Sequence, residues 1–113
     1  MTKYVLGIES SCDDTSVALV AQDGSVKAIK TVSQYEIHQA HGGVYPELAS
    51  RAHLEAILPT IQSVMDEGQV TPRDLKAIGV TRGPGLIGSL LIGLATAEAL
   101  SMGWGVPVYG VNH

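Results

Sequence analysis

Apolar residues along this 113-residue chain change their spacing once, near Pro46. Before that point they fall in short runs, Tyr4 to Ile8, Ser16 to Val20, and Val26 to Ser33, the last with Lys27 and Lys30 on a wetter face. Runs of this length, bounded by turn residues, predict β-strands. Gln22-Asp23-Gly24-Ser25 lies between the second and third. Asp and Gly tolerate the positive φ that hairpin turns need, and tightly joined consecutive strands pair antiparallel.

After Pro46 the period becomes helical. Leu54, Ile57, Leu58, Ile61 and Met65 make one apolar stripe, Pro46 suits the first turn and Gly68 the stop. Pro59 lies inside and removes a backbone donor, which predicts a kink or two helical pieces. Thr71-Pro72-Arg73-Asp74 has the residues of a capping box and predicts a short helical turn. Lys76 to Thr81 reads as a fourth strand, Gly83-Pro84-Gly85 breaks it, and Leu86 to Met102 is a second helix. That helix is apolar nearly all round, so it must be buried on every side or covered by a partner. Val106 to Val111 is a fifth strand. The order β-β-β-α-β-α-β predicts an α/β fold with a mixed sheet: three antiparallel strands followed by two parallel crossovers.

Composition narrows this picture. The length suits one domain, and 45% hydrophobic residues with no Phe and one Trp require an aliphatic core packed with Gly and Ala. A net charge of −4 argues against a general nucleic-acid surface on this segment. Cys12 is the one cysteine and has no disulfide partner within the chain. The opening MTKYVLGIES lacks a signal-peptide core, and Leu86 to Leu100, with Ser89, Thr96 and Glu98, reads as too short and polar to span a bilayer. The expectation is a soluble, cytoplasmic protein with no membrane partner.

Candidate chemistry concentrates in Gly7 to Thr15. A strand followed by Glu9, Ser10, Ser11, Asp13 and Asp14 offers hydroxyls and amides for phosphate oxygens, or carboxylates for a divalent ion or a water. An ordinary turn with Asp and Ser on the backbone is the alternative. Gly83-Pro84-Gly85-Leu86-Ile87-Gly88-Ser89 could accept an anion at a helix N-terminus, but it is no Walker A loop and a structural turn is the better reading. A charged loop could lower the pKa of Cys12, yet no histidine adjoins it as base, so it is not read as a nucleophile. His38 and His41 flank Gly42-Gly43 without further ligands and read as exposed, not as zinc ligands. His113 ends a strand after a βα unit, where open α/β sheets place ligands, and would need partners to make a metal site.

Four segments carry a family resemblance. Gly7 to Ser16 (GIESSCDDTS) is similar to the opening GIETSCDET of the TsaD/Gcp/YgjD family, and Gly42 to His53 (GGVYPELASRAH) resembles its GGVxPELASRxH segment. Thr81 to Leu90 resembles the TxGPGLxxxL turn, and Val106 to His113 resembles the start of VPxxxVNHxxGH. The segments occur in order across essentially the whole chain. The resemblance implies one lobe of the actin/Hsp70/sugar kinase (ASKHA, ribonuclease H-like) superfamily, whose nucleotide lies between two lobes. Family members are roughly three times this length, as two lobes require, so residues 1–113 are expected to be a single N-terminal lobe without its C-terminal lobe.

The implied activity is transfer of threonylcarbamoyl from threonylcarbamoyl-AMP to N6 of adenosine in tRNAs that read ANN codons. The implied metal, Fe or Zn, is held by two histidines and an aspartate of the second lobe, and only His113 of these is present. Asp13 matches the loop aspartate that faces the reacting groups; Glu9 and Asp14 match the same loop, and Gly83 and Gly85 the substrate-side turn. Glu98 stands where the family usually has a basic residue. The implied partners are tRNA and TsaB-like and TsaE-like proteins. The rival reading is a non-catalytic TsaB-like module that pairs, or self-associates, through helices 47–66 and 86–102. A sugar-kinase lobe is disfavoured because GIESSCDDT lacks the Asp-x-Gly-Thr pattern, and a glycoprotease because no nucleophile or completed zinc motif is present. The isolated segment is expected neither to transfer the group nor to bind a metal tightly.

Overall fold

A computed structural model describes residues 3–34, 40, 42–43 and 46–112; His38, His41 and His113 lie outside the described residues. Three strands open the chain: β1 (Tyr4–Glu9), β2 (Asp14–Ala21) and β3 (Val26–Ser33). Helix α1 (Pro46–Gly68) follows, then a 3₁₀ turn (Pro72–Asp74), β4 (Leu75–Gly83), α2 (Ile87–Trp104) and β5 (Val108–Asn112). The sheet order is β3-β2-β1-β4-β5, with β1/β2 and β2/β3 antiparallel and β1/β4 and β4/β5 parallel. The mixed α/β architecture expected from the spacing is the one observed.

Register explains which residues are inside. Leu6 pairs with Leu19 and Ile78, and Ile8 with Val17 and Val80, so one sheet face collects aliphatic side chains that are almost wholly buried. Both helices cover this face. A Cβ on Gly68 of α1 would touch Leu19, and one on Gly93 of α2 would touch Val80. The other face carries a row running Ile29, Ala18, Gly7, Gly79, Tyr109 across the five strands, with Ile29 and Tyr109 about 60% exposed.

The core face of α1 differs from the expected stripe. Ala49, His53, Ile57, Thr60, Ile61, Val64 and Met65 are buried, whereas Leu54 and Leu58 are exposed. The helix turns its face one position earlier than the leucines suggest, because a histidine and a threonine occupy core positions. Pro59 does not divide the helix either. It lies on the exposed side, and Thr60 Oγ1 donates to the carbonyl of Ala56 at 2.7 Å within the same turn. The expected stop at Gly68 holds, with Gln69 taking the left-handed conformation (φ 55°) and Val70 N–H capping the Met65 carbonyl. In the 3₁₀ turn, Asp74 accepts from the N–H of Thr71 at 2.9 Å and from its hydroxyl.

Helix α2 is not buried on every side. Ser89, Leu90, Gly93 and Ala97 face the sheet and α1, while Ile87, Leu91 and Met102 are exposed. At 18 residues it is also longer than expected, and by length and composition alone it could cross a membrane. Here it is the crossover between two parallel strands, seated on β4.

Candidate functional site

Strands β1, β4 and β5 run parallel, so their carboxyl ends meet at one edge, where open α/β sheets bind ligands. Three segments converge there: the loop from Glu9 to Asp14, the turn from Gly83 to Leu86, and Asn112, which is in register with Gly83. The loop is held by its backbone and by its small side chains. Ser10 is fully buried and its hydroxyl donates to the carbonyl of Ser89 in the first turn of α2 at 2.8 Å. The Ser11 carbonyl accepts the N–H of Leu86 at 2.7 Å, which stitches the loop to the turn. A side chain on Gly85 would collide with that carbonyl, so the contact demands glycine.

Glu9 closes the base of the loop. One of its oxygens accepts the N–H of Ser11 at 2.5 Å, and the other accepts the hydroxyl of Thr81 on β4 at 3.2 Å. Its carboxylate therefore ties β1, the loop and β4 together. The Asp13 carbonyl accepts the N–H of Gln34 at 3.2 Å. The Cys12 carbonyl accepts from His53 Nε2 at 2.9 Å, and His53 Nδ1 lies 2.6 Å from Thr15 Oγ1.

With the backbone so restrained, the side chains of Cys12 and Asp14 are exposed and that of Asp13 is half-buried. Glu9, Ser11, Cys12, Asp13, Asp14 and Ser16 line a recess of about 220 Å³. It is acidic, and the Cys12 thiol registers this: partial burial, then the charges of Asp13, Asp14 and Glu9, push its pKa up. That reverses the lowering a charged loop suggested, because every charge near the thiol is negative. Such a recess repels phosphate. It suits a hydrogen-bond donor, such as an amine, or a cation.

The structure thus brings Glu9, Asp13 and Asp14 together and sets Gly83 and Gly85 on the adjoining turn. His113 lies outside the described residues. Among those described, no group of three His, Cys, Asp or Glu side chains could hold a metal. Sequence reasoning included Thr15 in the loop but missed His53 and Gln34 as its supports. For His53 a signal existed: it stands four and eight residues before Ile57 and Ile61, in phase with the core face.

Comparison with known proteins follows the same line. Residues 25–113 match the model of the family described as "TsaD: tRNA N6-adenosine threonylcarbamoyltransferase". A tRNA N6-adenosine threonylcarbamoyltransferase of Erythrobacter litoralis is 50% identical over 111 residues, covering 98% of this chain and 32% of that protein. The chain spans about a third of the length of the curated relatives it matches. Among solved structures, YeaZ from Pseudomonas aeruginosa superposes with a TM-score of 0.76 at 23% identity, over 97% of this chain and 44% of that one. Thermus thermophilus RuvC, solved with a Holliday junction substrate, superposes with a TM-score of 0.60 at 16% identity, over 97% of this chain and 64% of that one. These two likenesses bear on the fold alone, the mixed five-stranded sheet with its two helices. Together with the matched family model, the chain belongs to the TsaD family of tRNA N6-adenosine threonylcarbamoyltransferases.

Proposed function

We propose that this chain is the loop-bearing N-terminal lobe of an enzyme that moves threonylcarbamoyl from threonylcarbamoyl-AMP to N6 of adenosine in tRNAs reading ANN codons. The observation that carries this reading is the acidic recess at the carboxyl ends of β1, β4 and β5, in a chain of this family. In the transfer, the adenosine N6 forms a bond to the carbamoyl carbon, the bond from that carbon to the AMP phosphate oxygen breaks, and N6 loses a proton. Asp13 has a half-buried carboxylate on a restrained backbone. It accepts a hydrogen bond from the N6 amine and takes the proton as the new bond forms. Glu9 holds the loop to β4 and lines the recess on the substrate side; Asp14 adds negative charge at the mouth. Gly83 and Gly85 let the turn lie against the loop. The Leu86 N–H is already used by Ser11, so the turn offers no free amide there.

The Fe or Zn that the family resemblance implies would be held by His113, which lies outside the described residues, with ligands from a second lobe; among the described residues no group of three His, Cys, Asp or Glu side chains could hold it. Cytoplasmic residence and TsaB-like and TsaE-like partners belong to the same reading. Replacing Asp13 with Asn in the full-length protein, assayed with those partners by mass spectrometry of tRNA nucleosides, is expected to lower kcat by about 10²–10⁴-fold. Native kcat in that variant would refute the assignment.

A second reading concerns association. Leu54 and Leu58 on α1 and Ile87, Leu91 and Met102 on α2 are exposed, and Leu58 shares a hollow with Ala95, Thr96, Ala99 and Leu100 between the helices. We infer that this surface pairs with a TsaB-like lobe and, in the isolated chain, with a second copy. Light scattering at high concentration should give a dimer; a monomer rules out the self-pairing.

A further inference from the structure

We propose that His53 is a positioning residue for the reaction, holding the peptide group that precedes Asp13; this rests on the reading of Asp13 given above. His53 is fully buried, on the second turn of α1, and sits behind the loop rather than in the recess. Both ring nitrogens are engaged, and the partner of one of them fixes its role. The Cys12 carbonyl can only accept, so Nε2 bears the hydrogen and donates to it at 2.9 Å. Nδ1 lies 2.6 Å from the Thr15 hydroxyl, which can complete the second contact of the ring. With a partner on each nitrogen, the imidazole has a single orientation.

The Cys12 carbonyl belongs to the peptide plane that ends at the Asp13 nitrogen. Fixing it limits rotation on the near side of the Asp13 Cα. On the far side, the Asp13 carbonyl is held by the N–H of Gln34 at 3.2 Å. Gln34 is itself buried, and its side-chain amide donates to the carbonyl of Ala49, one turn before His53 on α1. Helix α1 therefore grips both peptide planes of the aspartate, and the direction of its Cα–Cβ bond follows from the helix. A flexible loop would let the carboxylate sample many positions; this loop restricts it to those its own rotamers allow.

Two substitutions separate the roles of the ring. In His53→Gln the side-chain nitrogen reaches about as far as Nε2 and keeps the donor to Cys12. In His53→Asn the oxygen replaces Nδ1 and keeps a partner for Thr15, but nothing reaches Cys12. The test uses the full-length protein and two readouts, steady-state transfer to tRNA and the alkylation rate of Cys12, followed on its own peptide. His53→Asn is expected to cut kcat about 100-fold, the scale of a roughly 1 Å misplacement, with KM nearly unchanged. It should also alkylate Cys12 several times faster, because the thiol rides on the released peptide plane. His53→Gln should stay close to native in both.

Equal kcat in His53→Asn and native protein, while Asp13→Asn is inactive, would overturn the proposal. So would a His53→Gln variant as impaired as His53→Asn. If Asp13→Asn itself stays active, the assignment of Asp13 fails instead, and the alkylation rates still decide whether His53 tethers the loop. Should His53→Asn not fold, Thr15→Val, which deletes the hydroxyl and keeps the ring, supplies the same comparison. The expected result is then a smaller loss of kcat and a smaller gain in alkylation, and no change in either would count against the proposal.

Discussion

Helix α2 rests on the acidic loop at one point where a single methyl group should be decisive. Gly93 faces Ser10, and a Cβ built there would overlap the Ser10 hydroxyl, with the Ser10 Cβ at 3.5 Å and Val80 Cγ2 at 3.6 Å. The two carbon contacts are ordinary, so the hydroxyl alone is the obstacle. It cannot simply rotate away: Ser10 is fully buried and its hydroxyl bonds the Ser89 carbonyl. Replacing Gly93 by Ala gains about 1 kcal/mol of helix propensity. Against this stand about 1–3 kcal/mol of overpacking and about 1 kcal/mol for the displaced hydrogen bond. The net expectation is a destabilisation of about 1–3 kcal/mol, or a fall in Tm of at least about 5 °C for a domain of this size.

A double-mutant cycle isolates the cause. Ser10→Ala removes the obstructing oxygen, and the carbonyl of Ser89 keeps its helical partner, the N–H of Gly93, four residues on. Ser10→Ala/Gly93→Ala should therefore be more stable than the sum of the single variants by about 1–2 kcal/mol. Chemical denaturation of all four proteins, with unchanged m values, measures this directly. A Gly93→Ala protein at least as stable as native, or strictly additive effects, would show that propensity outweighs the contact and that the packing of α2 on the loop is looser than described.

Two further outcomes test other parts of the structure. The pH profile of Cys12 alkylation should rise at higher pH than that of a free cysteine peptide, since burial and three carboxylates disfavour the thiolate; Asp13→Asn and Asp14→Asn should each move it down, and a profile at or below the free thiol contradicts the acidic recess. Pro59 lies on the exposed face of an unbroken helix, so Pro59→Ala restores a backbone donor and should raise Tm, by up to about 3 kcal/mol in stability terms; an unchanged Tm would mean the helix has already absorbed the lost bond.

The strands were legible because their apolar runs lie between turn residues, and the positions of β1 to β3 follow from those runs and one Asp-Gly turn. Helix α1 was legible as an element but not in its facing. Leu54 and Leu58 drew the stripe outward, while His53 and Thr60, polar by composition, are core residues once their hydrogen bonds are satisfied. For α2 no facing could be read at all, since an element apolar all round has no preferred side until its neighbours exist. The acidic loop was visible because Glu9, Asp13 and Asp14 are close in sequence. Its supports were not, because His53 is 41 residues from Cys12 and Ser89 is 79 from Ser10. Spacing rules reach across one helix turn or one hairpin; they do not reach that far.

The central position of β1 also has a consequence in time. Its antiparallel neighbour β2 follows at once, but its parallel neighbour is β4, and Glu9 meets Thr81 only 72 residues later. At about 5–20 residues per second, a ribosome needs roughly 4–14 s to supply that partner. Throughout that interval the hairpins can pair while one edge of β1 stays open. The loop, too, waits for Leu86 and Ser89. During synthesis, then, the acidic loop is among the last parts of this chain to take shape.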